Sequence, residues 1–161
     1  MSQLQPLAEG LWSWPSSIKL GPFRMPRRAV VAKLPSGGLW LHSPNDLDDA
    51  VRAELDALGP LEHVVAPNQF HHAFLGRWHR AYPDAVVHGA PGLAEKKPDH
   101  HFDRVLTGEP DPAWGGVFDQ RLIGGAAKVN EVVFLHRPSR TLLLTDASFH
   151  IGHEAPSSCA S

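Results

Sequence analysis

From Ala29 to His88, short apolar runs of β character alternate with apolar stripes at helical spacing, and that succession limits the folds open to the chain. Ala29-Val30-Val31-Ala32-Lys33-Leu34 and Leu39-Trp40-Leu41-His42 flank the turn-forming Pro35-Ser36-Gly37-Gly38, so a β-hairpin is expected. Ser43 then reads as a helix N-cap, with Pro44 at the first helical position and Asp46 three residues on, as in a capping box. Leu47, Val51, Leu55 and Leu58 form the buried stripe of that helix, and Gly59-Pro60 stops it. Leu61 to Pro67 reads as a buried strand. Phe70 to Tyr82 is expected to be helical, with Phe74, Leu75, Trp78 and Tyr82 on one side, and Asp84 to His88 supplies the next strand. Hairpin, helix, strand, helix, strand is the order of an α/β domain whose middle strands run parallel through right-handed crossovers.

On either side of this stretch the signals change. Leu7 to Trp14 suggests a short first strand, and Gly21 to Pro26, with its glycine and two prolines, reads as a loop. Beyond Pro98 the expectation is antiparallel pairing, with strands at Arg104–Leu106, Gly116–Ile123, Glu131–His136 and Arg140–Thr145. The tight turn Arg137-Pro138-Ser139 joins the last two as a second hairpin. At 161 residues, one domain over residues 1–151 with a loose tail over 152–161 is the expected organisation.

Hydrophobic residues make up 42% and the formal charge is -2, a balance that offers no basic footprint for nucleic acid. No run approaches the length of a membrane helix or has the layout of a signal peptide, so neither membrane attachment nor export is expected. The single cysteine, Cys159, excludes an internal disulfide framework and fits a reducing, cytoplasmic setting.

Eleven histidines are the unusual feature of the composition, and their setting decides their use. His71 and His72 fall where the strand Leu61–Pro67 hands over to a helix, the place where α/β folds gather chemistry. Adjacent helical residues point about 100° apart, so a single ion is expected to take one of them, with His72 preferred. Asp146 closes the apolar run Leu142-Leu143-Leu144-Thr145, where a carboxylate is costly to bury unless it meets a cation or several donors; its alternative role is to cap the turn at Ala147 and Ser148. His150 and His153 follow it.

Asn68 either offers its amide to a substrate oxygen or caps the helix. His136, ahead of Arg137-Pro138, is a candidate ligand or substrate contact, its alternative being a structural role in the turn. His42, His63, His79, His88, His100 and His101 read as surface or strand-end histidines. No nucleophile elbow, Cys-His pair or phosphate-cradling glycine loop is present, so covalent and nucleotide chemistry have no support in the sequence.

Three local sequences carry a family resemblance. They are the hairpin Ala29–His42 with its following helix, the strand-to-helix histidine stretch, and Glu131-Val132-Val133-Phe134 paired with Leu142-Leu143-Leu144-Thr145-Asp146. In this order they resemble the metallo-β-lactamase superfamily. Ala66-Pro67-Asn68, Pro91-Gly92-Leu93 and His136-Arg137-Pro138-Ser139-Arg140-Thr141-Leu142 resemble an uncharacterised branch of it.

The resemblance implies an α/β fold of mixed sheets flanked by helices, with a shortened C-terminal half. It also implies a metal-dependent hydrolase or a protein derived from one. Its ion would be one divalent metal, zinc or iron, at His72, His71 and Asp146, acting on a small-molecule substrate near Asn68 and His136. The superfamily motif His-x-His-x-Asp-His, laid with its last His on His72, places Pro67 and Gln69 at the two earlier His positions and His71 at the Asp. A further His expected near Ala127 is absent, so a complete dinuclear zinc site is not expected. A non-catalytic scaffold that binds a small molecule or a protein partner is the other reading. The shortened end carries the expectation that exposed apolar strand faces self-associate.

Overall fold

The structure is a computed structural model that describes residues 2–69, 72–124 and 130–145. Its strands in chain order are β1 (Gln5–Ala8), β2 (Leu11–Leu20), β3 (Phe23–Lys33), β4 (Leu39–His42), β5 (Leu61–Ala66), β6 (Val86–Gly89), β7 (Arg104–Val105), β8 (Phe118–Ile123), β9 (Glu131–His136) and β10 (Thr141–Leu143). The helices are α1 (Asp49–Leu58), α2 (Leu75–Ala81) and α3 (Leu93–Lys96). Strands β1 to β7 form one sheet in sequence order, and β10-β9-β8 form a second. The pairs β4/β5, β5/β6 and β6/β7 are parallel, while β8, β9 and β10 are antiparallel. The parallel reading of the middle strands therefore holds, and it extends one strand further than expected, because β7 joins the parallel set instead of opening the antiparallel part.

Alternation along the central strands builds two cores. Val31, Leu41 and Val64 face α1 and α2 and pack with Val51, Leu55, Leu75 and Trp78. Their neighbours Val30, Trp40 and Val65 face the second sheet and pack with Phe118, Val132, Phe134 and Leu143. All four residues of β4 are buried, as expected of a strand covered on both faces. Trp40 is the hub of the inter-sheet layer, with Phe118 at 4.2 Å and Phe134 at 5.1 Å between ring centroids. The expected stripes match these cores: Leu47 and Leu58 pack beside Val51 and Leu55, and Phe74 and Tyr82 beside Leu75 and Trp78. Among the described residues no helix is long and apolar enough to cross a membrane. The tail 152–161 lies outside the described residues.

Three local expectations are corrected. First, Ser43 does not cap α1. It sits at φ 55 with its N–H donated to the Val65 carbonyl at 2.9 Å. The helix starts after Asp48, whose carboxylate accepts from the Val51 N–H at 2.8 Å. Asn45 is held against one core, its side chain donating to the Trp14 carbonyl and its backbone carbonyl accepting from the Trp78 indole, so the intervening residues form an anchored connection. Second, Gly21–Pro26 is not a loop throughout. Leu20 pairs with Phe23, and Pro26 continues β3 opposite Ser17. Pro15 and Pro26 both lie where β2 and β3 have outrun their outer neighbours, the setting in which a strand tolerates proline. Third, α2 is shorter than the spacing from Phe70 suggests and begins at Leu75.

Gly59 ends α1 by donating its N–H to the Leu55 carbonyl. A Cβ built there would stand 2.5 Å from the backbone oxygen of Gly37, in the β3–β4 turn. Gly59→Ala must push two backbones apart, and an expected loss of about 1–3 kcal/mol should be read as a lower urea midpoint at unchanged slope.

Candidate functional site

The end of β5 meets the start of β9, where Val132 donates its N–H to the Pro67 carbonyl at 2.8 Å. Beside this contact Asn68 and Glu131 are both buried, Glu131 completely. The Asn68 amide nitrogen donates to Glu131 Oε1 at 3.3 Å and to Thr145 Oγ1 at 3.0 Å. Thr145 returns its backbone N–H to Glu131 Oε2 at 3.1 Å and its hydroxyl to Oε1. A buried carboxyl group is costly unless its oxygens find donors, and here three donors from two strand ends converge on it. The resulting clamp ties the strand end four residues before His72 to the one immediately before Asp146.

Asn68 lies six residues ahead of Phe74, the N-cap of α2. Phe74 occupies the cap position without a side-chain bond, and the Asn68 amide is spent on Glu131 and Thr145. Glu131 and Thr145 escape the reading of the sequence as site residues. The signal was available: an acidic residue opening the apolar run Val132-Val133-Phe134 poses the same burial problem that singled out Asp146.

His72 is half-buried, and its Nδ1 makes no hydrogen bond among the described residues. Burial and the nearby positive charge of Lys97 lower its pKa to about 4, so the imidazole is neutral near pH 7. The His100 ring stands 5.4 Å away, edge to face. His71 and Asp146 lie outside the described residues, as do His150, His153 and Ala127. His136 is not brought to the Asn68–Glu131–Thr145 contact. It ends β9, five residues and roughly 17 Å of strand from Glu131. There it is buried, bonded through Nδ1 to Ser139 Oγ at 2.7 Å and packed on Phe118, the structural alternative for this residue.

Histidines read as surface or strand-end residues include three that are buried: His42, His63 and His88. His63 on β5 and His88 on β6 meet diagonally across the parallel pair, His63 standing opposite Val86 and His88 opposite Val65, with Nδ1 of the first 3.0 Å from Nε2 of the second. The Trp114 ring closes over both, at 5.2 Å and 4.8 Å. His79 and His101 do lie towards the surface, stacked at 4.0 Å, with His101 Nε2 2.8 Å from Asp103 Oδ1.

A neutral imidazole with a bare nitrogen has the chemistry of one metal ligand, which His72 satisfies. A dinuclear zinc centre does not fit the residues present. Pro67 and Gln69 lack ligating nitrogen or carboxylate oxygen, and the Pro67 carbonyl is committed to Val132. Among the described residues no three His, Cys, Asp or Glu side chains converge as a metal cage.

The two stacked layers, with helices on the outer face of the larger sheet, define a protein of the metallo-β-lactamase fold. Solved structures agree. The chain superposes on the DIM-1 metallo-β-lactamase exposed to ceftazidime with a TM-score of 0.69 at 13% identity, covering 86% of this chain and 67% of that one. It superposes on the metallo-β-lactamase from Pontibacter korlensis with a TM-score of 0.65 at 14% identity, covering 88% and 70%. For the enzyme from Hirschia baltica the values are 0.65 and 14%, covering 86% and 68%. The chain thus spans about two thirds of the length of these structures. Within that fold, residues 8–161 match the family described as domain of unknown function DUF4336, and the chain belongs to that family. No curated protein matches the sequence.

Proposed function

We propose that the chain is a hydrolase-like protein of the metallo-β-lactamase superfamily with a reduced ligand set. It holds at most one divalent ion, zinc or iron, beside these strand ends through His72, or His71 in its place, with Asp146. The observation that carries this reading is the Asn68–Glu131–Thr145 clamp, which joins the strand end leading to His72 with the one leading to Asp146. When bound, such an ion supplies a Lewis acid for a carbonyl or phosphoryl oxygen of a small-molecule substrate. His72, kept neutral by burial, presents a nitrogen lone pair at pH 7. Glu131 fixes the Thr145 backbone and with it the start of the segment that carries Asp146.

Protein purified without chelator is expected to carry close to one equivalent of metal, and His72→Ala and Asp146→Ala should each remove it with little change in thermal midpoint. A wild-type content below about a tenth of an equivalent, by elemental analysis, would sink the proposal. One feature favours a second reading, a non-catalytic scaffold for a small molecule or a protein partner: Pro67 and Gln69 stand at two ligand positions of the superfamily motif. Under it, both substitutions leave metal content at background.

A further inference from the structure

Past the body of the larger sheet, β2 and β3 run on as a two-stranded ribbon. Pairing with β1 stops at Ser13 and pairing with β4 at Val30. Beyond these residues the two strands pair with each other, from Trp14 opposite Ala29 out to Leu20 opposite Phe23. Side chains alternate between the two faces of such a ribbon, so Ile18, Leu20, Phe23 and Met25 share one face and Lys19, Arg24 and Arg28 the other. At the tip Phe23 is 71% exposed and Leu20 53%, and neither belongs to a core. Immediately behind that pair stand Lys19 and Arg24, opposite each other. The chain has 17 Asp and Glu residues, yet none falls between Glu9 and Asp46, so the whole ribbon is cationic in a protein of formal charge -2. Arg27 holds the ribbon to the body, donating to the Pro44 carbonyl at 3.2 Å and lying over the Phe74 ring.

We propose that this tip docks on the surface of a membrane rich in anionic lipid. Leu20 and Phe23 enter the boundary of the acyl chains, while Lys19, Arg24 and Arg28 meet the lipid phosphates at the level of the headgroups. An apolar tip with cations directly behind it matches the two layers of such a surface in order and in charge. Two other partners match it less well. A duplex nucleic acid would engage the cations and leave Leu20 and Phe23 in water. A further strand added to the open edges of the ribbon would meet Pro15 on one and Pro26 on the other, where no N–H is available to pair. Contact at a membrane surface needs no spanning helix, so the lack of a long apolar run, from which no attachment was expected, does not bear on it.

Co-sedimentation of the full chain with vesicles tests the docking. The wild type is expected to pellet with phosphatidylcholine vesicles that hold about 30 mol% phosphatidylserine, and to bind pure phosphatidylcholine at least about tenfold less tightly. Raising the salt from about 0.1 M to about 0.5 M should weaken the anionic binding by a similar factor. The pair Leu20→Ser and Phe23→Ser should lose about tenfold or more. The pair Lys19→Glu and Arg24→Glu should lose about thirtyfold or more. Both double variants should keep the wild-type thermal midpoint, because these side chains lie outside the two cores. Phe23→Trp should still bind, and lipid brominated on the acyl chains should quench the fluorescence it adds. A wild type left in the supernatant overturns the docking, as does equal binding to the neutral vesicles. So does a folded Leu20→Ser, Phe23→Ser protein that binds as tightly as the wild type, or a Phe23→Trp protein that binds without being quenched, since either result means adsorption by charge alone. Tighter binding to a short DNA duplex than to the anionic vesicles would assign the ribbon to nucleic acid instead. Metal content plays no part in these outcomes, so they stand apart from the hydrolase-like reading.

Discussion

Lowering the pH from 7 to 4 is expected to remove about 3 kcal/mol of folding stability through His88 alone. Burial first, and the adjacent His63 second, lower the His88 pKa from 6.5 to about 4. Burial also lowers that of His63. In the unfolded chain both take a proton near their ordinary value, so between roughly pH 6.5 and pH 4 the unfolded state binds more protons than the native one. Stability is accordingly complete above the unfolded pKa and declines as pH falls towards the folded one. A second proton has no acceptable place in the native pair: His63 Nδ1 and His88 Nε2 share one hydrogen bond, and Trp114 covers both rings. Asp111 acts in the opposite sense on both rings, and Arg104 in the same sense as burial. Urea unfolding as a function of pH checks this. His88→Asn should flatten the acid limb, and an equally steep limb in that variant would place the effect elsewhere.

Glu131→Ala is expected to cost about 3 kcal/mol, the scale for breaking a buried polar network so that its partners stay desolvated. The substitution takes away the acceptor for the Thr145 N–H, the Thr145 hydroxyl and the Asn68 amide together. Val132 would keep its bond to Pro67, so the strand ends should stay adjacent while the end of β10 loses its hold. Glu131→Gln should lose about half as much, since one oxygen still accepts but an NH2 now faces a donor. The urea midpoint should drop in both variants with little change in slope. A Glu131→Ala protein as stable as the wild type would show that Glu131 is not what holds these strand ends. Under the hydrolase-like reading, Glu131→Ala should also weaken metal retention, although Glu131 is not a candidate ligand.

Much of the fold was legible because it follows from periodicity. The β3–β4 hairpin, the buried stripes of α1 and α2, the parallel run through β6 and the β9–β10 hairpin each rest on residues close together in the chain, read against the strand period or the helical one. The misreadings arose where a distant partner outweighed a local signal. Ser43-Pro44 carries the local signs of a helix start, but the Val65 carbonyl takes the Ser43 N–H and Trp78 takes the Asn45 carbonyl. The prolines of β2 and β3 suggested a break, yet each stands where its strand has an open side.

The site divides in the same way. The sequence by itself singled out the two strand ends, because a strand-to-helix junction with His72 and a strand ending before Asp146 are both local features. It also determined that two superfamily ligand positions hold Pro67 and Gln69. Only the tertiary structure decided what Asn68 does, because its partners lie 63 and 77 residues away. The same holds for His63 and His88, 25 residues apart, which share a bond only because β5 and β6 pair in parallel register. A side chain's local sequence sets what it can donate or accept, whereas burial and the groups brought against it set which of those bonds it must make.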